Sequence, residues 1–167
     1  MNRIKDLHDL FIEQLRDLYN GETLIKEAFG ETFERATNKD LKQVLTSYKS
    51  EQEEQRIRLQ QVFEIIFYQK RGEKNQIIMS MLEDTKRLSD RCDDMHTRDA
   101  ALITTLQHII HYKIAAYGAL STYARRLEHY DAGEILHHNL TIEKEIDRKL
   151  VVIAESSVNS ESLSSLE

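Results

Sequence analysis

Glu22 stands where the stripe Leu7, Phe11, Leu15, Leu18, Ile25, Phe29, Phe33 calls for an apolar side chain. Glu51 and Gln55, one helical turn apart, interrupt a second stripe of Leu41, Leu45, Tyr48, Leu59, Val62 and Ile66, in which either Glu51 or Gln52 takes the middle position. Glu143 and Asp147 form an i, i+4 pair beside Ile142 and Ile146. A carboxylate taken out of water loses several kcal/mol of hydration, and it persists only if protonated, paired or bound to a metal. Charges can also flank a core by chance in a chain that is 31% charged. Three helices carrying them at comparable height favour convergence on one point. One Glu from each of two helices and a spaced ligand pair from the others is the logic of a two-metal carboxylate centre in a bundle.

Four long helices have to position these groups. The third stripe, after a Thr97 cap with Asp99 in its first turn, runs Ile103, Leu106, Ile110, Lys113 or Ile114, Tyr117, Leu120, Ala124, Leu127. The fourth, opened by Asp131 with Glu134 three residues on, runs Ile135, Asn139, Ile142 or Glu143, Ile146, Leu150, Ile153. Helices one and two are separated only near Thr37-Asn38, and three and four only around Glu128–Asp131, so each pair makes an antiparallel hairpin. Between Ile66 and Thr97 lies a long crossover with a short helix from Gln76 to Arg91. The expected fold is all-α: a ferritin-like four-helix bundle of two antiparallel hairpins whose long crossover carries a short extra helix. Residues 1–156 are expected to form the bundle, and 157–167 a frayed, Ser-rich acidic tail.

The composition agrees. No Pro, no Trp and only 5 Gly in 167 residues leave little with which to write a many-turned sandwich or barrel. A net charge of −6 argues against a phosphate-binding face, hence against nucleic acid as a partner. Cys92, the single cysteine, excludes an internal disulfide framework and suits a reducing compartment. Nowhere do 18 apolar residues follow one another, and MNRIKDLHDLFIEQL contains no apolar run of the signal-peptide type. The expectation is a cytoplasmic protein without a membrane span. No P-loop, GxGxxG, GxSxG or HExxH string occurs.

The segments LRDLYNGE (15–22), RLQQVFE (58–64), RDAALI (98–103) and above all HYKIAAYGAL (111–120) resemble the YciE/YciF-type stress-response ferritin-like family, from about residue 3 to 158. That family is similar to rubrerythrin. The resemblance implies a dimeric bundle with a di-iron-type carboxylate site, in which Glu22 matches the helix-one ligand, Glu51 the helix-two Glu, and Glu143 and Asp147 the helix-four pair. Gln55 falls where relatives carry His or Gln. Helix three departs from the pattern: where the family motif reads E-H-Y-E, this chain reads Ile110-His111-Tyr112-Lys113. Both carboxylates are gone, one replaced by an apolar group and one by a cation.

Two readings of Lys113 follow. Its ammonium, with three donors, can neutralise one of Glu22, Glu51 and Glu143 and bond to others, acting as an internal substitute for the metal. Alternatively its stem snorkels from the edge of the core. The first implies no cofactor and a structural or interaction protein, acting as a stress-associated homodimer without robust catalysis. The second leaves room for iron or manganese at Glu22, Glu51, Glu143 and Asp147, and for a di-iron or mononuclear oxidase or peroxide-handling protein. Off-stripe apolar residues Ile65, Phe67, Ile78 and Met79 offer a dimer surface. His108 and His111 (i, i+3) are two ligands without a third, and His137 and His138 diverge by about 100°. Tyr19 and Tyr48 each precede a Glu by three residues and are expected to pack in the core with satisfied hydroxyls. Gly118 is expected at a close helix–helix approach.

Overall fold

The computed structural model describes residues 3–158. Five α-helices follow in order: α1 (Leu7–Phe33), α2 (Lys39–Ile65), α3 (Gln76–Asp90), α4 (Met95–Arg126) and α5 (Tyr130–Ile153), with a last π-helical turn at Ala154–Val158. Helix starts are written in short polar side chains. Asp6, Asn38, Asn75 and Asp94 each accept backbone N–H groups of the first turn, satisfying donors that the helix leaves open. Asp94, not Thr97, therefore caps α4. The α5 start differs too: it follows His129 with no side-chain cap, and Glu134 pairs with Arg125 rather than closing a box with Asp131.

Helices α1, α2, α5 and α4 form a four-cornered bundle, and α3 packs across α1 and α4. Within the α1–α2 hairpin, Tyr19 meets Gln60 and Glu34 meets Lys49; within α4–α5, Gln107 meets Asp147 and Arg125 meets Glu134. Partners run in opposite directions, so both hairpins are antiparallel. Across α1 and α4 the direction is opposite, since Asp99 near the start of α4 meets Thr37 just past the end of α1 while Tyr117 further along α4 meets Glu22 further back, so α2 and α4 run in the same direction. A crossover has to span the bundle to achieve that, and this is the ferritin-like connection.

The crossover is pinned at its start. Asn75, almost fully buried, donates to the carbonyl and carboxylate of Asp17 and to Tyr112 Oη while capping α3. Gly21 permits this closeness, because a Cβ there would lie 3.2 Å from both Asn75 and Ile78. Gly118, by contrast, faces open space up to Leu140, and the tight contact in α4–α5 is at Gly133, against Arg125 and Ser121. Ile78 is core rather than surface, and Met79 is half-buried; Ile65 and Phe67 are exposed. Val158 is fully buried; the rest of the Ser-rich segment, from residue 159, lies outside the described residues.

The interior is two apolar clusters with a polar layer between them. One contains Ile25, Phe29, Tyr48, Ile110, Ile146 and Leu150; the other contains Phe11, Leu15, Leu18, Leu59, Tyr117 and Leu140. Glu22 lies between Leu18 and Ile25, Lys113 between Ile110 and Tyr117, Gln52 and Gln55 between Tyr48 and Leu59, and Glu143 between Leu140 and Ile146. Each of the four bundle helices, α1, α2, α4 and α5, crosses from one cluster to the other through a polar residue.

Candidate functional site: a buried lysine among carboxylates

Lys113 is completely buried, with its Nζ at the centre of this polar layer. Five oxygens surround it: Glu143 Oε1 at 2.8 Å, Glu22 Oε2 at 3.0 Å, Gln55 Oε1 at 2.8 Å, Tyr48 Oη at 3.1 Å and Gln52 Oε1 at 3.2 Å. The Tyr48 ring lies beneath it, its centroid 5.2 Å away. Snorkelling is excluded: the head group is as buried as the stem.

The carboxylates are held from their other sides. Tyr117 Oη donates to Glu22 Oε1 at 2.5 Å, and Tyr48 Oη donates to Glu143 Oε2 at 2.7 Å. Each hairpin thus contributes one Glu and one Tyr, and each Tyr serves the Glu of the other hairpin. Gln55 Nε2 donates to Glu143 Oε1 at 2.6 Å, and Gln52 Nε2 to Gln55 Oε1 at 3.2 Å. Asn139, also fully buried, donates to Tyr117 Oη at 3.2 Å and to the Gln55 carbonyl at 3.3 Å. Glu22 Oε2 makes no aligned hydrogen bond and is held by the charge of Lys113 alone.

Two carboxylates share one ammonium, so one negative charge is in excess when both are ionised. Burial pushes the Glu22 carboxyl above the usual carboxylate range; Lys113 pulls it back, Glu143 adds to the rise, and the Tyr117 bond opposes it. Burial, followed by the neighbouring carboxylates, holds the phenols of Tyr48 and Tyr117 well above their ordinary value, so both stay protonated as donors.

The remaining expected site residues lie elsewhere. Glu51 is half-buried on the flank of α2, where Arg58 pairs with it, and Gln52 takes the inward position. Asp147 is at the α4–α5 boundary, 3.0 Å from Gln107 Nε2 and 3.1 Å from the exposed His111 Nε2. Ile110 is buried in the apolar cluster beside the layer. The Tyr19 hydroxyl faces Arg56 and Gln60, away from Glu22. His108, His137 and His138 are exposed, and Cys92 is half-buried against the Leu88 carbonyl. Among the described residues, a grouping close enough to hold an ion is Asp6, His8 and Asp9 at the start of α1, where Asp6 is the helix cap.

Sequence reasoning missed Gln52, Tyr117 and Asn139 as members of the layer. All three sit on the stripes, and the phenol and the amides read there as packing. It also placed Asp99 in a first helical turn. Asp99 is instead buried and binds the turn of the α1–α2 hairpin: its carboxylate accepts from Thr37 N (2.8 Å), Thr37 Oγ1 (2.8 Å) and Asn38 N (2.6 Å).

These residues do not fit a two-metal centre. Each buried carboxylate has one oxygen on a tyrosine and one on Lys113, whereas a bridging carboxylate needs both for metal. Helix α2 offers amide oxygens, and α4 offers a cation and an isoleucine. The lysine head group fills the space between the two buried carboxylates.

No described helix is long and apolar enough to cross a membrane. Residues 6–163 match the family described as "Domain of unknown function (DUF892)". The chain is 31% identical over 157 residues to the protein YciF of Escherichia coli (strain K12), covering 93% of this chain and 95% of that one. Its fold matches the crystal structure of the E. coli stress protein YciF with a TM-score of 0.89 at 30% identity, covering 93% and 99% of the two chains. It matches YcfI of Rhodopseudomonas palustris at 0.88 and 35% identity, over 92% and 98%. The chain therefore belongs to the DUF892 family, and its fold is the ferritin-like helical bundle of the stress protein YciF.

Proposed function

We propose that this chain is a stress-associated bundle protein in which the ammonium of Lys113 replaces the charge of a metal centre, and that it carries out no robust catalysis. The observation that carries this reading is the placement of Lys113 Nζ, fully buried, at 3.0 Å from Glu22 and 2.8 Å from Glu143. A fixed cation there raises the cost of bringing in Fe²⁺ or Mn²⁺ by direct repulsion. It also satisfies the carboxylates that would otherwise have to protonate. Metal analysis of tag-free protein, combined with an oxygen- or peroxide-dependent iron oxidation assay, tests it. Less than stoichiometric metal and no oxidation above background are expected. Two tightly bound ions, with oxidation dependent on Glu22, Glu51, Glu143 and Asp147, would establish the di-iron oxidase reading in its place.

The working form we propose is a cytoplasmic homodimer without a nucleic-acid partner. Phe67 supports the dimer: it is 93% exposed and held at φ 57°, a conformation unfavourable for a bulky residue, so the fold presents an aromatic ring to its surroundings at a backbone cost. Light scattering at micromolar concentration is expected to give twice the chain mass of 19.6 kDa, and a monomer mass would refute it.

A further inference from the structure

Arg58 belongs to none of the ligand positions, yet a hydrogen-bonded chain connects it to the centre of the polar layer. Its Nε donates to Asn139 Oδ1 at 2.5 Å, Asn139 Nδ2 donates to Tyr117 Oη at 3.2 Å, and Tyr117 Oη donates to Glu22 Oε1 at 2.5 Å. Its other arm pairs with Glu51 on the flank of α2. A guanidinium has donors only, whereas an Asn amide can turn end for end and a phenol can either donate or accept. The direction of the chain is therefore set at its outer end by Arg58, a donor only, at 2.5 Å, together with the Gln55 backbone carbonyl, an acceptor only, at 3.3 Å from Asn139 Nδ2. Because Arg58 can only donate, the Asn139 carbonyl must face it and the NH₂ group must face inward. Tyr117 Oη, having accepted from that NH₂, gives its single proton to Glu22.

We propose that Arg58 is a positioning residue of the buried layer, acting as a second internal cation that orients the Asn139 amide and thereby directs the Tyr117 hydroxyl onto Glu22. Glu51, matched by resemblance to a ligand, serves here as the counter-ion of that cation. The charged groups facing Glu22 are Lys113 from α4 and Glu143 from α5, with the phenols of Tyr117 (α4) and Tyr48 (α2); the crossover residues nearest α1 here, Asn75 and Ile78, are uncharged. None of these charged groups fixes the amide, since neither Lys113 nor either carboxylate is bonded to Asn139; the Gln55 carbonyl holds its NH₂ group by a long 3.3 Å bond, and Arg58 holds its oxygen by a 2.5 Å charge-assisted one. The inference goes beyond the metal-substitute reading and stands whether or not Lys113 excludes metal. Bound metal in the wild-type protein would overturn that reading and leave this one in place.

The test reads the hydroxyl of Tyr117 through its tyrosine Raman doublet, isolated as the difference from Tyr117→Phe. In the wild-type protein the hydroxyl both donates and accepts. Arg58→Met keeps the aliphatic stem and leaves the amide held only by its 3.3 Å bond to the Gln55 carbonyl; if Arg58 is the stronger hold, the amide turns, the hydroxyl loses its acceptor bond, and the doublet intensity ratio falls. Arg58→Lys, again a pure donor, restores the ratio. Glu51→Gln removes the ion pair but not the donor, and leaves it unchanged. An unchanged ratio in Arg58→Met, or an equal fall in Glu51→Gln, overturns the proposal, because Arg58 would then be no more than half of a flank salt bridge. Nuclear Overhauser contacts in the wild-type protein give a reading independent of any variant's folding. The Asn139 amide protons should lie against the Tyr117 ring, and finding them turned toward Arg58 overturns the proposal as well.

Discussion

Lys113→Met isolates the central charge, because methionine keeps most of the stem's volume while deleting the ammonium. In the wild-type protein the ammonium lies 2.8 and 3.0 Å from two carboxylates with no exposed surface on any of the three groups. Removing one partner of such an arrangement costs about 3–5 kcal/mol, since charge is left buried and uncompensated. Against a total stability of about 5–15 kcal/mol, that is a large fraction. For a chain of this size it corresponds to a fall in Tm of roughly 6–20 °C at neutral pH. The pH dependence gives the sign. The Glu22 carboxyl is already held above its ordinary value, so its protonated form favours the fold. The stability contributed by that proton is complete below the unfolded-state value near 4.5 and is lost as pH rises through the folded one. Lys113 is what limits the loss. Without it the carboxyl rises further, so the deficit of Lys113→Met should be greatest at neutral pH and shrink as the pH falls toward 4.5. Urea melts of both proteins across that range supply the measurement. A variant within about 0.5 kcal/mol of wild type at pH 7, the size of an ordinary surface change, would refute the argument. A deficit independent of pH would mean that packing, not charge, had been lost.

Glu22→Gln removes the excess negative charge while leaving Lys113 paired with Glu143; its chemical denaturation should show stability equal to or above wild type at pH 7 and a flatter pH profile. Asp99→Ala strips the acceptors from Thr37 N and Asn38 N and is expected to cost about 1–3 kcal/mol by thermal melt, two partly buried hydrogen bonds at about 0.5–1.5 each. Ile110→Glu with Lys113→Glu supplies the two missing helix-three carboxylates, and Mn²⁺ should then raise Tm by mass action, about 2.7 kcal/mol at a hundredfold excess over Kd. Adding Gln52→Glu should strengthen that response further, because position 52 points inward and position 51 does not; calorimetric titration showing no gain would contradict the assignment of the inward position.

The four long helices, their pairing and the crossover were all legible in the stripes, because each signal is repeated many times along a helix. Loop lengths alone then decide which neighbours are antiparallel. Helix starts were less legible. Asp94 and Thr97 are equally good caps by residue type, and the choice falls to Asp94 only because its carboxylate reaches the N–H groups of both His96 and Thr97. Asp99 could not be read at all as a clamp, since its partners lie 61 and 62 residues away on another hairpin.

The polar layer shows the same limit at finer grain. Glu51 and Gln52 are 100° apart on one helix, and both lie near the stripe that Tyr48, Gln55 and Leu59 define. Glutamate was the natural choice for a metal site, and the structure gives the inward place to the amide. Physical bookkeeping explains the choice. A third carboxylate facing one ammonium would leave two negative charges in excess, whereas Gln52 lends a carbonyl oxygen to Lys113 and an NH₂ group to Gln55 at no charge. With Lys113 at the centre, an amide at 52 is the consistent partner and Glu51 belongs with Arg58 outside. The stripe Tyr48, Gln52, Gln55, Leu59 turns position 52 inward, and the lysine at 113 is matched there by an amide rather than a third carboxylate. That match is invisible to any periodicity read one helix at a time, because it is a property of the charge summed over all four.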